Sequence, residues 1–214
     1  VAFAMSAARA EVLRRIRDAL GDERAPAPPP APAAAAAAPR VADPVARFTQ
    51  RVGDYRAGVT VVEDASEVGA AVAAALTRHA AADAVVPADL PAGWVPTGIA
   101  ALADDPPLPH ARLAQVGAVV TACALAIAET GTLILDGGVG QGRRAITLLP
   151  DVHVCVVGAD QIVGTVPEAI ARLAGTPRPL TLVSGPSATS DIGFVRVEGV
   201  HGPRRLEVVV SRRA

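Results

Sequence analysis

The sequence predicts an α/β fold with a mixed, mostly parallel sheet, and three observations carry that prediction. Short β-branched runs such as VTVV, TLIL, VHVCVV and LEVVV recur along the chain, separated by helical or turn-rich stretches. That is the pattern of buried strands joined by crossover segments. Hydrophobic residues make up 51% of the chain and aromatics only 2%, beside 19 glycines, so the core must be built from Ala, Val, Leu and Ile. The 214 residues suffice for one domain with a real core plus a small appendage.

In chain order, Ser6 to Leu20 reads as a helix, with Val12, Leu13, Ile16 and Leu20 at helical spacing and Gly21 as its stop. Residues 1–24 are expected to form an N-terminal helical arm. The Pro/Ala-rich stretch 25–40 has no packing face and reads as a semi-extended linker. Residues 41–214 then form the main α/β domain. Val41 to Val52 predicts a short helix carrying Val45, Phe48 and Val52 on one side. Val59 to Asp64 is a strand and turn, and Asp64 or Ser66 caps a helix over Glu67 to His79. Ala84 to Pro87 is a short buried strand. Leu90 to Leu108, rich in Pro, Asp and Gly, reads as an excursion beside the sheet, with Trp94 as a packing anchor. Val116 to Val120 is a strand, Thr121 to Ala128 an Ala-rich helical segment, and Gly131 to Asp136 a strand. Val152 to Val157 is a further strand, Val166 to Leu173 a helix with proline at its start, and Leu180 to Gly185 and Arg204 to Val210 are strands.

Charge and composition exclude several functions. The formal net charge of −1 gives no pull toward nucleic acid or an anionic membrane. All 20 basic residues are arginine, which excludes a Schiff-base lysine and a P-loop lysine. Two cysteines, Cys123 and Cys155, cannot hold a four-cysteine iron–sulfur cluster or a structural zinc. The first twenty residues lack a continuous apolar h-region, and the apolar run from Val116 ends at Glu129, short of a membrane span. A cytoplasmic location and no metal site are expected.

Three stretches carry candidate chemistry. In AETGTLILDGGVGQGRR, Glu129 precedes Thr130, Gly131 and Thr132; a carboxylate beside small hydroxyls suits a base, or a cap for backbone N–H groups. Gly137, Gly138, Gly140 and Gly142 permit a nest of N–H groups, with Arg143 and Arg144 beside it, suited to an anion. The order differs from a dinucleotide fingerprint and from a Walker motif. In VHVCVV, alternation puts His153 and Cys155 on one face and Val154 on the other; the pair reads as nucleophile or metal ligands, or as plain sheet residues. In SGPSATSD, Ser184, Ser187 and Thr189 offer hydroxyls to a phosphate or carboxylate. Glu129 or Asp191 can orient His201, which lies between Gly199 and Gly202 in the GVHGP turn. The expected site is a shallow pocket at the strand ends. Its catalytic candidates are Glu129, Asp191 and His201. Its ligand-binding candidates are Thr130, Gly131, Gly140, Gln141, Gly142, Arg143, Ser184, Ser187 and Thr189.

Taken together and in order, TACALAIAETGTLIL, GQGRRAITLLPDVHVCVVGADQIVGTVPEAI and SGPSATSDIGFVRVEGVHGPRRLEVVV resemble the lactate utilization protein C family of LUD-domain proteins. The resemblance is strong over 116–210 and looser from about residue 59. It implies a three-layer α/β fold similar to the NagB/RpiA/CoA-transferase-like group, and a role in oxidation of L-lactate to pyruvate. It also implies two partners, an iron–sulfur protein and a ferredoxin-like protein, which would hold the iron–sulfur clusters. This chain would be the cluster-free accessory subunit, binding a small anionic ligand or a partner. Two alternatives stand beside it: an enzyme acting by itself on a sugar phosphate or CoA ester, with Glu129 or Asp191 as base or nucleophile, and a small-ligand binding or regulatory module.

Overall fold

A computed structural model describes residues 7–21, 41–95, 98–189, 197–199 and 201–213. The chain divides into two compact units, residues 1–33 and 34–214. In the first, helix α1 (Ala7–Leu20) is braced by ion pairs of Glu11 with Arg14 and Arg15 and of Arg14 with Asp18, while Val12, Ile16 and Leu20 are exposed. The linker expected over 25–40 lies outside the described residues.

The second unit is an α/β structure with a mostly parallel strand arrangement. Its main sheet has six strands, all parallel: β1 (Gly58–Val62), β12 (Arg205–Ser211), β7 (Val152–Gly158), β4 (Ala118–Thr121), β2 (Asp83–Val86) and β3 (Ala100–Ala103), in that spatial order. Strict alternation along these strands sorts the core. Val152, Val154 and Val156 of β7 join Ala84, Val86, Ala118 and Val120 against helix α3 (Val68–Arg78). The intervening Cys155 and Val157, with Leu206, Val208 and Val210 of β12, face the other way. A period of two residues forces this partition, since successive side chains leave opposite faces of a sheet.

Against that second face lies a four-stranded sheet in the order β8 (Ile162–Val163), β5 (Leu125–Ile127), β6 (Thr132–Leu135), β9 (Thr181–Val183). Its β5–β6 and β6–β9 pairs are antiparallel and its β5–β8 pair is parallel. Ala126, Leu133 and Leu135 point to the main sheet. Leu125, Ile127 and Ile134 point outward to Ala169 of helix α5 (Val166–Arg172). Helix α2 (Pro44–Asp54) inserts Val45, Phe48 and Val52 into the core between the sheets. A two-stranded hairpin, β10 (Ala188–Thr189) with β11 (Val197–Glu198), follows β9.

Three expectations are corrected. The three layers become four, because the Gly131–Asp136 strand belongs to a second sheet stacked on the first, with α3 and α5 outside. The Ala-rich stretch 121–128 is not helical. It ends β4 and forms β5, buried on both faces; small alanines let two sheets approach closely, which helix propensity cannot register. The excursion 90–108 contains β3, a parallel edge strand of sequence AALA, and a helical turn α4 (His110–Leu113) follows it. Without a β-branched residue that strand has no local signal. The remaining helices and strands fall within a few residues of their expected bounds. Asp64 caps the entry to α3 through a capping box with Glu67, and Trp94 packs against the α3 core.

Candidate functional site

The site grows from how the loop after β9 meets the starts of β7 and β12. Gly185 and Pro186 end β9, and the chain turns across the main sheet. There Ser187 N–H donates to the Pro203 carbonyl, Gly199 N–H donates to the Ser187 carbonyl, and His201 N–H donates to Ser187 Oγ at 3.0 Å. These bonds clamp the Ser184–Ala188 loop to the His201–Pro203 turn. Between them and the short 3-10 turn Arg144–Thr147 opens a cavity of about 240 Å³, lined by Arg144, Thr147, His153, Ser184, Ser187 and His201 among others. The cavity sits at the strand starts, between the main sheet and β9.

Its floor is His153, 2% exposed, with Nε2 2.8 Å from Thr121 Oγ1. Burial, with the Arg144 charge adding to it, pushes the His153 pKa down to about 4. The ring is therefore neutral near pH 7 and cannot supply a positive charge. In the unfolded chain it titrates near 6.5, so between the two values the unfolded state binds the extra proton. Stability is thus full above pH 6.5 and is expected to fall on acidification toward pH 4, by about 3 kcal/mol at most. An NMR titration of the His153 ring should give a midpoint near 4, and His153→Gln should remove that segment of the pH–stability curve. A midpoint near 6.5 would contradict the burial argument.

The charge at the cavity comes from Arg144. Its Nη1 donates to the Thr147 carbonyl at 3.1 Å and to Thr147 Oγ1 at 2.9 Å. Among the described residues no carboxylate lies within ion-pair distance of it. The residue is exposed at the cavity mouth, yet crowding strips enough hydration from the guanidinium to lower its pKa. Arg143, one residue earlier, is already committed. Its Nε and Nη2 grip Asp104 at 2.6 and 2.9 Å and its Nη2 also reaches the Leu108 carbonyl. That contact holds the Asp104 carboxyl below the usual carboxylate range.

The single pocket expected from the sequence is divided. Ser184, Ser187 and His201 come together at the Arg144 cavity. The glycine loop borders an adjoining cavity of about 480 Å³ that shares Arg144, Thr147 and Thr181 with the first. Its nest already holds an anion, the Asp136 carboxylate. Gly138 N–H and Gln141 Nε2 donate to Asp136 Oδ1 at 2.9 and 2.8 Å, Gln141 Oε1 accepts from Asp136 N–H, and Arg178 pairs with Oδ2 at 3.0 Å. Gln141 thus serves as an internal clamp, and Gly140 accepts from Ala122 N–H through its carbonyl. Gly142 also lines the adjoining cavity.

Glu129 is elsewhere: its Oε1 accepts from Val166 N–H at the start of α5, and it borders a separate cavity with Thr130 and Arg51. Gly131 has φ +63°, and a Cβ there would come within 2.8 Å of the Arg51 backbone, so it is the spacer on which α2 rests. Thr130 reaches the main cavity only through hydroxyls: Thr130 Oγ1 to Thr132 Oγ1 at 2.7 Å, and Thr132 Oγ1 to Ser184 Oγ at 2.8 Å. Asp191 lies outside the described residues, as does the side chain of Thr189. Cys123 and Cys155 are buried free thiols; the contact with Cys155 and burial push the Cys123 thiol well up.

The sequence did not point to Thr132, Asp136 and Thr147, and of the two arginines it set beside the glycine nest, Arg143 bonds Asp104 while Arg144 lines the cavity. Among the described residues no group of three or more His, Cys, Asp or Glu is placed to hold a metal ion, and no helix is long and apolar enough to cross a membrane.

Stacked sheets flanked by helices, with an arginine and several hydroxyls around a cavity at the strand starts, define an α/β protein. The family model for the LUD domain matches residues 109–211. Over 172 residues the chain is 52% identical to lactate utilization protein C of Deinococcus radiodurans, covering 79% of this chain and 80% of that protein. Lactate utilization protein C of a Geobacillus species is 31% identical over 108 residues, under half the length of either chain. A crystal structure of a DUF162 family protein from Deinococcus radiodurans superposes with a TM-score of 0.69 at 45% identity, covering 80% of this chain and 98% of that one. The chain belongs to the lactate utilization protein C family of LUD-domain proteins.

Proposed function

We propose that this chain is the cluster-free accessory subunit of an iron–sulfur system that oxidises L-lactate, and that its Arg144 cavity holds a small carboxylate. The observation that carries the reading is Arg144: a guanidinium without a carboxylate partner among the described residues, at the mouth of a cavity lined by Ser184, Ser187, Thr147 and His201. A guanidinium fork matches a carboxylate, and hydroxyls can serve the hydroxyl or keto oxygen beside it. The names carried by its relatives support lactate or pyruvate as that carboxylate. Hydride or electron transfer requires a cofactor, which this reading assigns to the iron–sulfur and ferredoxin-like partners; the chain's part is to bind, orient and dock.

In the alternative, an independent enzyme on a sugar phosphate or CoA ester, Glu129 would act with its Oε1 already accepting from Val166 N–H. The test is affinity purification of the full chain from its host, with absorption spectroscopy of the eluate. Co-eluting cluster-bearing subunits with iron–sulfur absorbance, lost on competition with excess untagged chain, are expected. A chain that elutes without such partners and turns over a sugar phosphate by itself would sink the reading.

A further inference from the structure

A different cavity, about 300 Å³, opens at the starts of β1 and β12 and is bordered by the same Pro186–Ala188 loop. Its walls include Arg56, Gly58, His79, Arg204, Arg205 and Glu207. The parallel register sets Gly58 beside Glu207, and a Cβ on Gly58 would overlap the Glu207 carboxylate. The glycine is what lets a buried acid stand at the end of the sheet. That acid is fully engaged: Arg78 Nη2 donates to Oε2 at 2.6 Å, and His79 Nε2 lies 2.8 Å from Oε1. Its negative charge is therefore spent on the end of α3.

The arginines on the cavity wall are not spent in the same way. Arg204 shares Asp151 at a loose 3.4 Å. Among the described residues Arg56 and Arg205 have no carboxylate within ion-pair distance. Arg56 also carries a backbone signature. It follows α2 with φ +63°, and its N–H donates to the Gly53 carbonyl, which is the left-handed helix-end position that favours glycine. An arginine held there keeps its side chain against a conformational cost, and such outliers gather where the side chain has a task.

We infer that this cavity is a second binding site, for a compact dianion such as a phosphate monoester or a short dicarboxylate, gripped by Arg56, Arg204 and Arg205. Two guanidiniums without a carboxylate partner among the described residues and a third held loosely match a doubly charged ligand, and the planar fork suits phosphate or carboxylate oxygens. Glu207 does not oppose it, because the Arg78 guanidinium offsets that charge and His79 occupies its other oxygen. The site rests on its own arginines and not on the lactate reading, although the Pro186–Ala188 loop borders both cavities.

The test uses calorimetry and NMR titration of the full chain at low salt, with inorganic phosphate and succinate as separate probes. At least one should bind saturably, shifting resonances of Arg56, Gly58 and Arg205. Arg56→Gly is the sharpest variant because it removes the side chain where glycine is the favoured residue. Binding should weaken about tenfold or more in Arg56→Gly and Arg205→Gln, with Tm of Arg56→Gly equal to or above that of the parent. Arg144→Gln should leave this binding unchanged. Which probe binds separates a phosphate site from a dicarboxylate site. Lack of saturable binding by either probe, wild-type affinity in Arg56→Gly, or loss in Arg144→Gln alone would overturn the inference.

Discussion

Replacing Arg143 by Ala is expected to cost about 2–4 kcal/mol of unfolding free energy. Its partner Asp104 has a side chain only 6% exposed, and it also accepts from Leu108 N–H at 2.8 Å. Removing the guanidinium strands a carboxylate that cannot regain water, and that desolvation is the source of the loss. The value falls below that of a fully buried pair because Arg143 itself is 32% exposed. The pair also ties the segment after β3 to the turn after the glycine loop, so the loss should loosen both. Urea unfolding of Arg143→Ala, Asp104→Ala and the double variant would measure it. The double variant should be more stable than the sum of the single losses predicts. Strict additivity would show that the pair carries no coupling.

Arg144→Gln should behave in the opposite way. The residue is exposed, and among the described residues its side chain bonds only Thr147, so stability should stay within about 0.5 kcal/mol of the parent. Binding of L-lactate or pyruvate should instead weaken by about 10- to 100-fold, the worth of a charge-assisted hydrogen bond to a carboxylate. Titration calorimetry on both proteins would read this. Equal affinity in parent and variant would remove Arg144 from the site and leave the cavity without its anion-binding group. Two adjacent arginines, identical in composition and charge, are thus expected to separate stability from binding.

That contrast marks how far local sequence reaches. The strands over 58–62, 152–158 and 205–211 and the helices α2, α3 and α5 were legible because β-branched runs, capping residues and apolar spacing are local signals. Of the second sheet, the strands over 131–136 and 180–185 were legible, but not that they form a sheet of their own. Its strand β5 is written LAI within an Ala-rich run, and only pairing with β6 and β8 makes that segment extended. The glycine loop was legible as a nest but not as a filled one, because Asp136 reads as a strand-end turn residue until Gln141 and Arg178 close on it. Ser184, Ser187 and His201 were named from their residue types and the turns around them, and the structure places them around one cavity. Glu129 was named for the same reasons, and the fold turns it to α5.

By itself the sequence determined the α/β class, the aliphatic core, the family, and the exclusion of lysine chemistry. These depend on composition, period and motif order, which are properties of the chain alone. Only the tertiary structure decided which charges are free. A guanidinium is equally cationic in Arg143, Arg144 and Arg56, but whether it meets a carboxylate of the same chain depends on contacts between residues far apart in sequence. Asp104 reaches Arg143 across 39 positions, and Glu207 reaches Arg78 across 129. The Coulomb energy of such pairs falls with distance in space and not with distance along the chain, so the free charges that define a binding site appear only once the chain has folded.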